Sequence, residues 1–174
     1  MFLTRDVQTA YALFLEVGGK KDMVHAHTLS HVVGAALYDR YGLSGLQYCT
    51  DDFNYGCYHG LAGRAIEEQG PAGIAQLMTA CGDRNPTNCR HGVGHGIMAY
   101  TGDDRLNDAL SYCAEERPGS CVSGVFMEYF VNSMRQSDGR GILWFDPQNP
   151  AEPCSAVAHE QYMDACHYGL PALW

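Results

Sequence analysis

Apolar residues return at three- and four-residue intervals, the spacing of one helix face, over seven stretches: Val7 to Val17, His27 to Tyr41, Tyr58 to Gln69, Ile74 to Ala80, Arg90 to Tyr100, Leu106 to Tyr112 and Val122 to Met134. Boundary residues agree with these limits. Gly42, Gly70 and Gly102 stand where a C-terminal cap is expected, and Pro71 sits just before one helix. Asp103 or Asp104 is placed to cap the helix at Leu106, and Ser120 the helix after Cys121. The pattern breaks over 135–153, where Gly139, Gly141, Pro147, Pro150 and Pro153 surround the apolar run Ile142-Leu143-Trp144-Phe145. That segment reads as an inserted loop with an apolar anchor. A last helix is expected from Ser155 to Ala165.

The helices carry a repeat. Cys49, Cys81 and Cys113 are each followed eight positions later by a second cysteine that opens Cys57-Tyr58-His59-Gly60, Cys89-Arg90-His91-Gly92 or Cys121-Val122-Ser123-Gly124, and the unit recurs every 32 residues. A period in the low thirties is the length of one helix–turn–helix unit. The expected fold is therefore all-α, a stack of helical hairpins forming one domain over residues 1–174. No Cys-x-x-Cys occurs, so the spacing favours disulfides Cys49–Cys57, Cys81–Cys89 and Cys113–Cys121 over metal thiolates. Each would close a short inter-helix loop and remove about 2.5 kcal/mol of unfolded-state freedom. By exclusion Cys154 pairs with Cys166, which requires that at least one of them lie off a helix end, because a continuous helix between them would hold them roughly 18 Å apart.

Composition narrows the setting. The 174 residues carry a net charge of −9 with only 11 Lys+Arg and no basic cluster, which argues against nucleic acid and anionic membrane surfaces as partners. Apolar runs such as Val32 to Tyr38 are too short to span a bilayer. Met1 to Asp6 lacks the basic and apolar regions of a signal peptide and reads as the start of a mature or trimmed domain. Eight cysteines in such a framework place the protein in an extracytoplasmic compartment, periplasmic or secreted.

Over roughly residues 43 to 135, Ala80-Cys81 closing one helix, seven loop residues, then a cysteine and nearby glycine opening the next resemble the Helicobacter cysteine-rich proteins and related disulfide-bridged tetratricopeptide-like repeats. The resemblance implies a right-handed extracytoplasmic stack whose concave face binds a partner. The 32-residue period is shorter than that family's, and its repeats lack this density of histidine.

Aligning the repeats on their second cysteine puts His59, His91 and Ser123 in one column, and counting back from Gly42 adds His31. His27 lies four before His31 and His95 four after His91, so each pair shares a helix face and can hold one metal ion without backbone strain. Burying several imidazoles together costs free energy unless a ligand or polar partners compensate. The cluster His27, His31, His59, His91 and His95 is thus the candidate metal site, with Met127 and Glu128 nearby on the helix that lacks the histidine. His25, His159 and His167 read as surface or ordinary core residues. Gly60, Gly92, Gly94 and Gly96 allow either close helix packing or room for a ligand.

A histidine-rich sphere suits a transition metal such as zinc, iron or copper. Three histidines with one open position would make a bound water acidic enough to attack a carbonyl or phosphoryl group, with Glu128 as candidate base, whereas iron or copper would open oxygen chemistry. The functional expectation is an extracytoplasmic metal-binding protein, a metal-dependent hydrolase or oxidoreductase if an enzyme. The alternative is a helical-repeat module whose concave face, with Tyr100, Tyr112, Tyr129 and the histidines, binds a small molecule, a peptide, a protein or a cell-wall ligand. Axial imidazoles could also take haem, but no Cys-x-x-Cys-His attachment site is present. Val122-Ser123-Gly124 is no nucleophile elbow, and Gly92-Val93-Gly94-His95-Gly96 follows no strand, so neither a serine hydrolase nor a dinucleotide site is indicated.

Overall fold

The computed structural model describes residues 7–18, 22–82, 86–113, 120–135, 148–149 and 151–169. The described residues form nine α-helices: α1 Val7–Gly18, α2 Met23–Tyr41, α3 Gly56–Gln69, α4 Pro71–Cys81, α5 Pro86–Thr101, α6 Leu106–Tyr112, α7 Ser120–Arg135, α8 Glu152–Ser155 and α9 Met163–Gly169. Short 3-10 turns lie at Gly42–Tyr48, Asp103–Arg105 and Glu160–Tyr162, and no strand occurs among the described residues.

The expected helices are present. Several begin up to a turn before the apolar period does, at Met23 rather than His27 and at Pro86 rather than Arg90. Met23 and Val24 are apolar but exposed, and Thr87 and Asn88 are polar, so these first turns lie off the buried face that the apolar period follows. Asp22, unmarked by that pattern, caps α2 by accepting from the His25 backbone N–H at 3.0 Å. Gly42 and Gly70 end α2 and α3 at φ of 57° and 58°, a conformation costly for a residue with a Cβ. Three sequence expectations are corrected. Asp103 and Asp104 do not cap α6; they sit in the preceding 3-10 turn, and Arg105 holds the cap position without a side-chain bond. Ser120 is the first residue of α7 rather than the residue before it. The single helix expected over Ser155 to Ala165 is instead α8, an irregular stretch, a 3-10 turn and α9. Asn107 helps fix that stretch, donating to the Ala156 carbonyl and accepting from the Ala158 N–H, both at 2.8 Å. Of the loop expected over 135–153, residues 136–147 and Pro150 lie outside the described residues.

The first helices of successive units pack in series, α2 on α3, α3 on α5 and α5 on α7. The second elements form an outer layer: the Gly42–Tyr48 turn on α2, α4 on α3 and α5, and α6 on α5 and α7, while α9 closes the stack against α7. Leu61 and Ile66 of α3, Leu77 of α4, Val93 and Ile97 of α5, Leu110 of α6 and Phe126 and Phe130 of α7 are buried between the layers. All four disulfides have the expected pairing: Cys49–Cys57, Cys81–Cys89, Cys113–Cys121 and Cys154–Cys166, with Cα atoms 5.4, 5.5, 5.6 and 5.8 Å apart. The first three tie the end of one unit to the first helix of the next. The fourth is possible because the chain between its cysteines is not one helix.

The first helices touch backbone to backbone. A Cβ on Gly34 would overlap the Cys57 carbonyl, and one on Gly60 would overlap the His31 carbonyl, so α2 and α3 interlock through a reciprocal glycine pair. Gly94 and Gly124 repeat the arrangement between α5 and α7, against the carbonyls of Cys121 and His91. At the α3–α5 contact Gly92 packs on the Tyr58 backbone and Gly96 on Ile66 and Gly63. These glycines therefore serve close helix packing.

Candidate metal centre

Because helix axes approach so closely at each glycine contact, side chains on neighbouring first helices meet without bending the stack sharply. His27 and His31 project from α2, His59 from α3, and His91 and His95 from α5, into one cluster. Ring centroids are 5.1 Å apart for His31 and His59, 5.4 Å for His59 and His91, and 4.2 Å for His59 and His95. His59, in the middle, is 5 % exposed and His95 is 8 % exposed.

The nitrogens fall into two triads, His27/His31/His59 and His59/His91/His95, either of which could hold a metal ion. Nε2 of His31 lies 3.0 Å from Nε2 of His27 and 3.3 Å from Nδ1 of His59, and Nε2 of His95 lies 3.2 Å from Nε2 of His91. Two imidazole nitrogens bound tetrahedrally to one zinc at 2.0–2.1 Å stand about 3.3 Å apart, so these spacings match a shared ion.

Outer partners fix the rings. His27 Nδ1 donates to the Phe53 carbonyl at 2.7 Å. His95 Nδ1 donates to Glu128 Oε2 at 2.8 Å. Ser123 gives its own hydrogen to the Ser120 carbonyl at 2.8 Å, so its oxygen accepts from His91 Nδ1 at 2.9 Å. A neutral imidazole has one hydrogen. When both rings are neutral and that hydrogen is committed outward, Nε2 of His91 and Nε2 of His95 are left as lone pairs facing each other at 3.2 Å. Such a pair is repulsive unless a cation, either a proton or a metal ion, lies between the nitrogens. Burial, and then the neighbouring His95, pulls the His91 imidazolium down to about pKa 4, against a smaller opposing effect of the Ser120 carbonyl. Burial, followed by the other four histidines, holds His59 far below the ordinary histidine range. Both rings are neutral at physiological pH, the state in which imidazole binds metal.

The Phe53 carbonyl is aimed by an unusual turn. Phe53, Asn54 and Tyr55 all have positive φ, at 53°, 50° and 63°, immediately before α3. Consecutive non-glycine residues there cost about 1–2 kcal/mol each. Sequence patterning gave no sign of this turn beyond the asparagine, a residue tolerated in that conformation.

His27, His59 and His91 open onto a groove of about 790 Å³, whose other walls include Met23, Val24, Tyr55, Met127, Ala165 and Tyr168. Its volume is in the range of small-molecule sites. Of the wall residues, Ser123 and Met127 were expected beside the cluster from the sequence, whereas Met23, Val24, Tyr55 and Tyr168 were not. The tyrosines of this groove are Tyr55 and Tyr168. Tyr129 is instead buried in the core, and Tyr100 lies beside Gly70, so the expected tyrosine-lined concave face is not what accompanies the histidines. Glu128, expected in the metal sphere or as a base, stands behind His95, bound to the ring nitrogen that does not face His91. His25 is exposed and pairs with Asp22 at 2.6 Å, and His159 and His167 are exposed, outside the cluster.

Comparison with protein families, curated proteins and solved structures finds no match to the chain. The all-helical, disulfide-stapled architecture is compatible with the repeat proteins that its cysteine spacing resembles, and no match identifies the specific type. Four disulfides suit an oxidising compartment, and no described helix is long and apolar enough to cross a membrane.

Proposed function

We propose that the protein is an extracytoplasmic transition-metal protein whose metal is held within the cluster His27, His31, His59, His91 and His95 at the foot of the groove, by three of these imidazoles per ion. The observation that carries this reading is the facing pair, His91 Nε2 and His95 Nε2 at 3.2 Å, each ring held by an oxygen on its far side. Carboxylate, hydroxyl and carbonyl partners behind ligating histidines are the usual supports of a metal site, since they fix ring orientation and raise ligand basicity. An all-imidazole sphere accepts zinc, iron or copper. Three nitrogens per ion leave a coordination position open, and an ion bound there would supply an activated water or an oxygen-binding site. Within that chemistry the role of Glu128 is to orient His95, and the groove walls admit a small, largely apolar substrate or ligand above His27, His59 and His91.

Metal analysis of protein purified without a histidine tag tests the reading. Zinc, iron or copper should copurify or be taken up stoichiometrically, and His59→Ala should remove most of it while His159→Ala leaves it unchanged. A wild-type protein that binds none of the three sinks the proposal. The groove, standing without a metal, would then favour a ligand-binding module.

A further inference from the structure

The two triads share His59, and one ring nitrogen can hold only one ion. His59 uses Nδ1 toward His31, at 3.3 Å. Its other nitrogen, Nε2, is buried and has no hydrogen-bond partner in a side chain 5 % exposed. That nitrogen is the one ring nitrogen of the cluster found buried without a partner among the described residues. His27 gives its hydrogen to Phe53, so the contact between His27 Nε2 and His31 Nε2 needs the hydrogen on His31. The His31 N–H then faces Nδ1 of His59, which must be bare, and the hydrogen of neutral His59 is left on Nε2 with no acceptor. If His59 is written in the other tautomer, two lone pairs meet between His27 and His31 instead. A buried N–H without an acceptor costs about 1–3 kcal/mol. In neither tautomer does the buried Nε2 of His59 meet a hydrogen-bond partner.

Resting on the metal reading above, we propose that the cluster is a dinuclear site in which the imidazole ring of His59 bridges two divalent transition-metal ions, one held with His27 and His31, the other with His91 and His95. The first ion binds the lone pair of Nδ1. Binding of the second at Nε2 breaks the N–H bond, releases that proton to solvent, and leaves His59 as a bridging imidazolate. No electron is transferred in this step. Each ion then has three nitrogen ligands, and the ligands facing the groove, His27, His59 and His91, include at least one for each ion. Four of the five histidines enter through Nε2. His59 alone belongs to both triads, as its central place between α2 and α5 allows.

The test uses the full oxidised chain, stripped with chelator and titrated with zinc, with bound metal counted per chain. Wild type should take up two zinc ions. The double variants His27→Ala/His31→Ala and His91→Ala/His95→Ala should each keep one, and His59→Gln should weaken both. Loading wild type with copper(II) supplies a readout that needs no variant to fold. At two equivalents the paramagnetic resonance signal should integrate to well under two isolated spins, because an imidazolate couples them. One ion in wild type, lost completely in both double variants, would overturn the bridge in favour of a single site and leave the metal reading standing. Two fully uncoupled copper spins would also overturn the bridge. No uptake of zinc or copper by wild type would remove the bridge and count against the metal reading, leaving only iron to rescue it.

Discussion

Gly60 and Gly63 lie one turn apart on α3 and make opposite demands on an added methyl group. A Cβ at Gly60 would overlap the carbonyl oxygen, carbonyl carbon and Cα of His31, all backbone atoms that cannot rotate aside. A Cβ at Gly63 meets nothing within 4 Å. Alanine in a helix interior is favoured over glycine by about 1 kcal/mol, so Gly63→Ala should stabilise the protein by roughly 0.5–1 kcal/mol. Gly60→Ala gains the same propensity but forces α3 away from α2, and overpacking of this kind costs about 1–3 kcal/mol, more where backbone must move. The net expectation is a loss of roughly 2 kcal/mol. In a chain of this size those changes correspond to melting shifts of about +1 to +4 °C and −4 to −8 °C. Moving α3 also separates His31 from His59, now at 3.3 Å, so Gly60→Ala should lower metal uptake while Gly63→Ala leaves it intact. Urea unfolding followed by far-ultraviolet circular dichroism, with the disulfides intact, measures the first effect, and zinc titration the second. A Gly60→Ala protein as stable as Gly63→Ala would refute the backbone-to-backbone contact and the geometry of the cluster with it.

Other expectations rest on separate features. The folded-state pKa of His91 is lowered to about 4 from 6.5, so between those values the unfolded chain binds more protons and stability falls as pH falls. Metal-free protein should lose stability on going from pH 6.5 toward 4, about 3 kcal/mol from His91 over the full range, with His59 adding in the same direction. A urea midpoint flat between pH 6.5 and 5, before carboxylates titrate, would contradict the buried neutral cluster. Asn54→Val places a β-branched residue at φ 50° and should cost about 1–2 kcal/mol in urea unfolding, and its metal affinity should fall through the displaced Phe53 carbonyl. An unchanged midpoint would argue against the left-handed turn. Replacing Cys113 and Cys121 by serine opens a bridge of sequence separation 8 and should destabilise by about 2.5 kcal/mol or more, given the burial of both residues. Free thiols at these positions in the native protein would remove the disulfide framework.

Helices, cysteine pairing and the histidine column were legible in the sequence because each is periodic: apolar spacing for helices, the eight-residue cysteine interval, and the 32-residue return of Cys-x-His-Gly. Features without a period were not. The chain after Cys154 has helix-compatible composition, yet the disulfide to Cys166 and the bonds from Asn107 hold it in shorter pieces, a tertiary override of local pattern. Glu128 was recognisable as a neighbour of the cluster, but which side of His95 it occupies depends on the crossing of α5 and α7. The Phe53 carbonyl could not be found at all, since any residue carries one and only the backbone turn aims it at His27.

The glycines explain how histidines on helices two intervals apart reach one centre. Helices separated by ordinary side chains lie roughly 8–10 Å apart, too far for His31 and His91 to share His59 comfortably. The glycine directly after the column position removes that spacing: Gly60 sits on the His31 carbonyl and Gly124 on the His91 carbonyl. The glycine three after it does the same in the other direction, Gly34 on the Cys57 carbonyl and Gly94 on the Cys121 carbonyl. Cys-x-His-Gly is then one unit with three tasks: the cysteine pins the helix start, the histidine faces the cluster, and the glycine brings the helices into contact. Cys121-Val122-Ser123-Gly124 keeps the first and third tasks and exchanges the second, since Ser123 accepts from His91 instead of facing the cluster as a ligand. The substitution in that fourth column position is therefore what ends the row of imidazoles with a supporting wall.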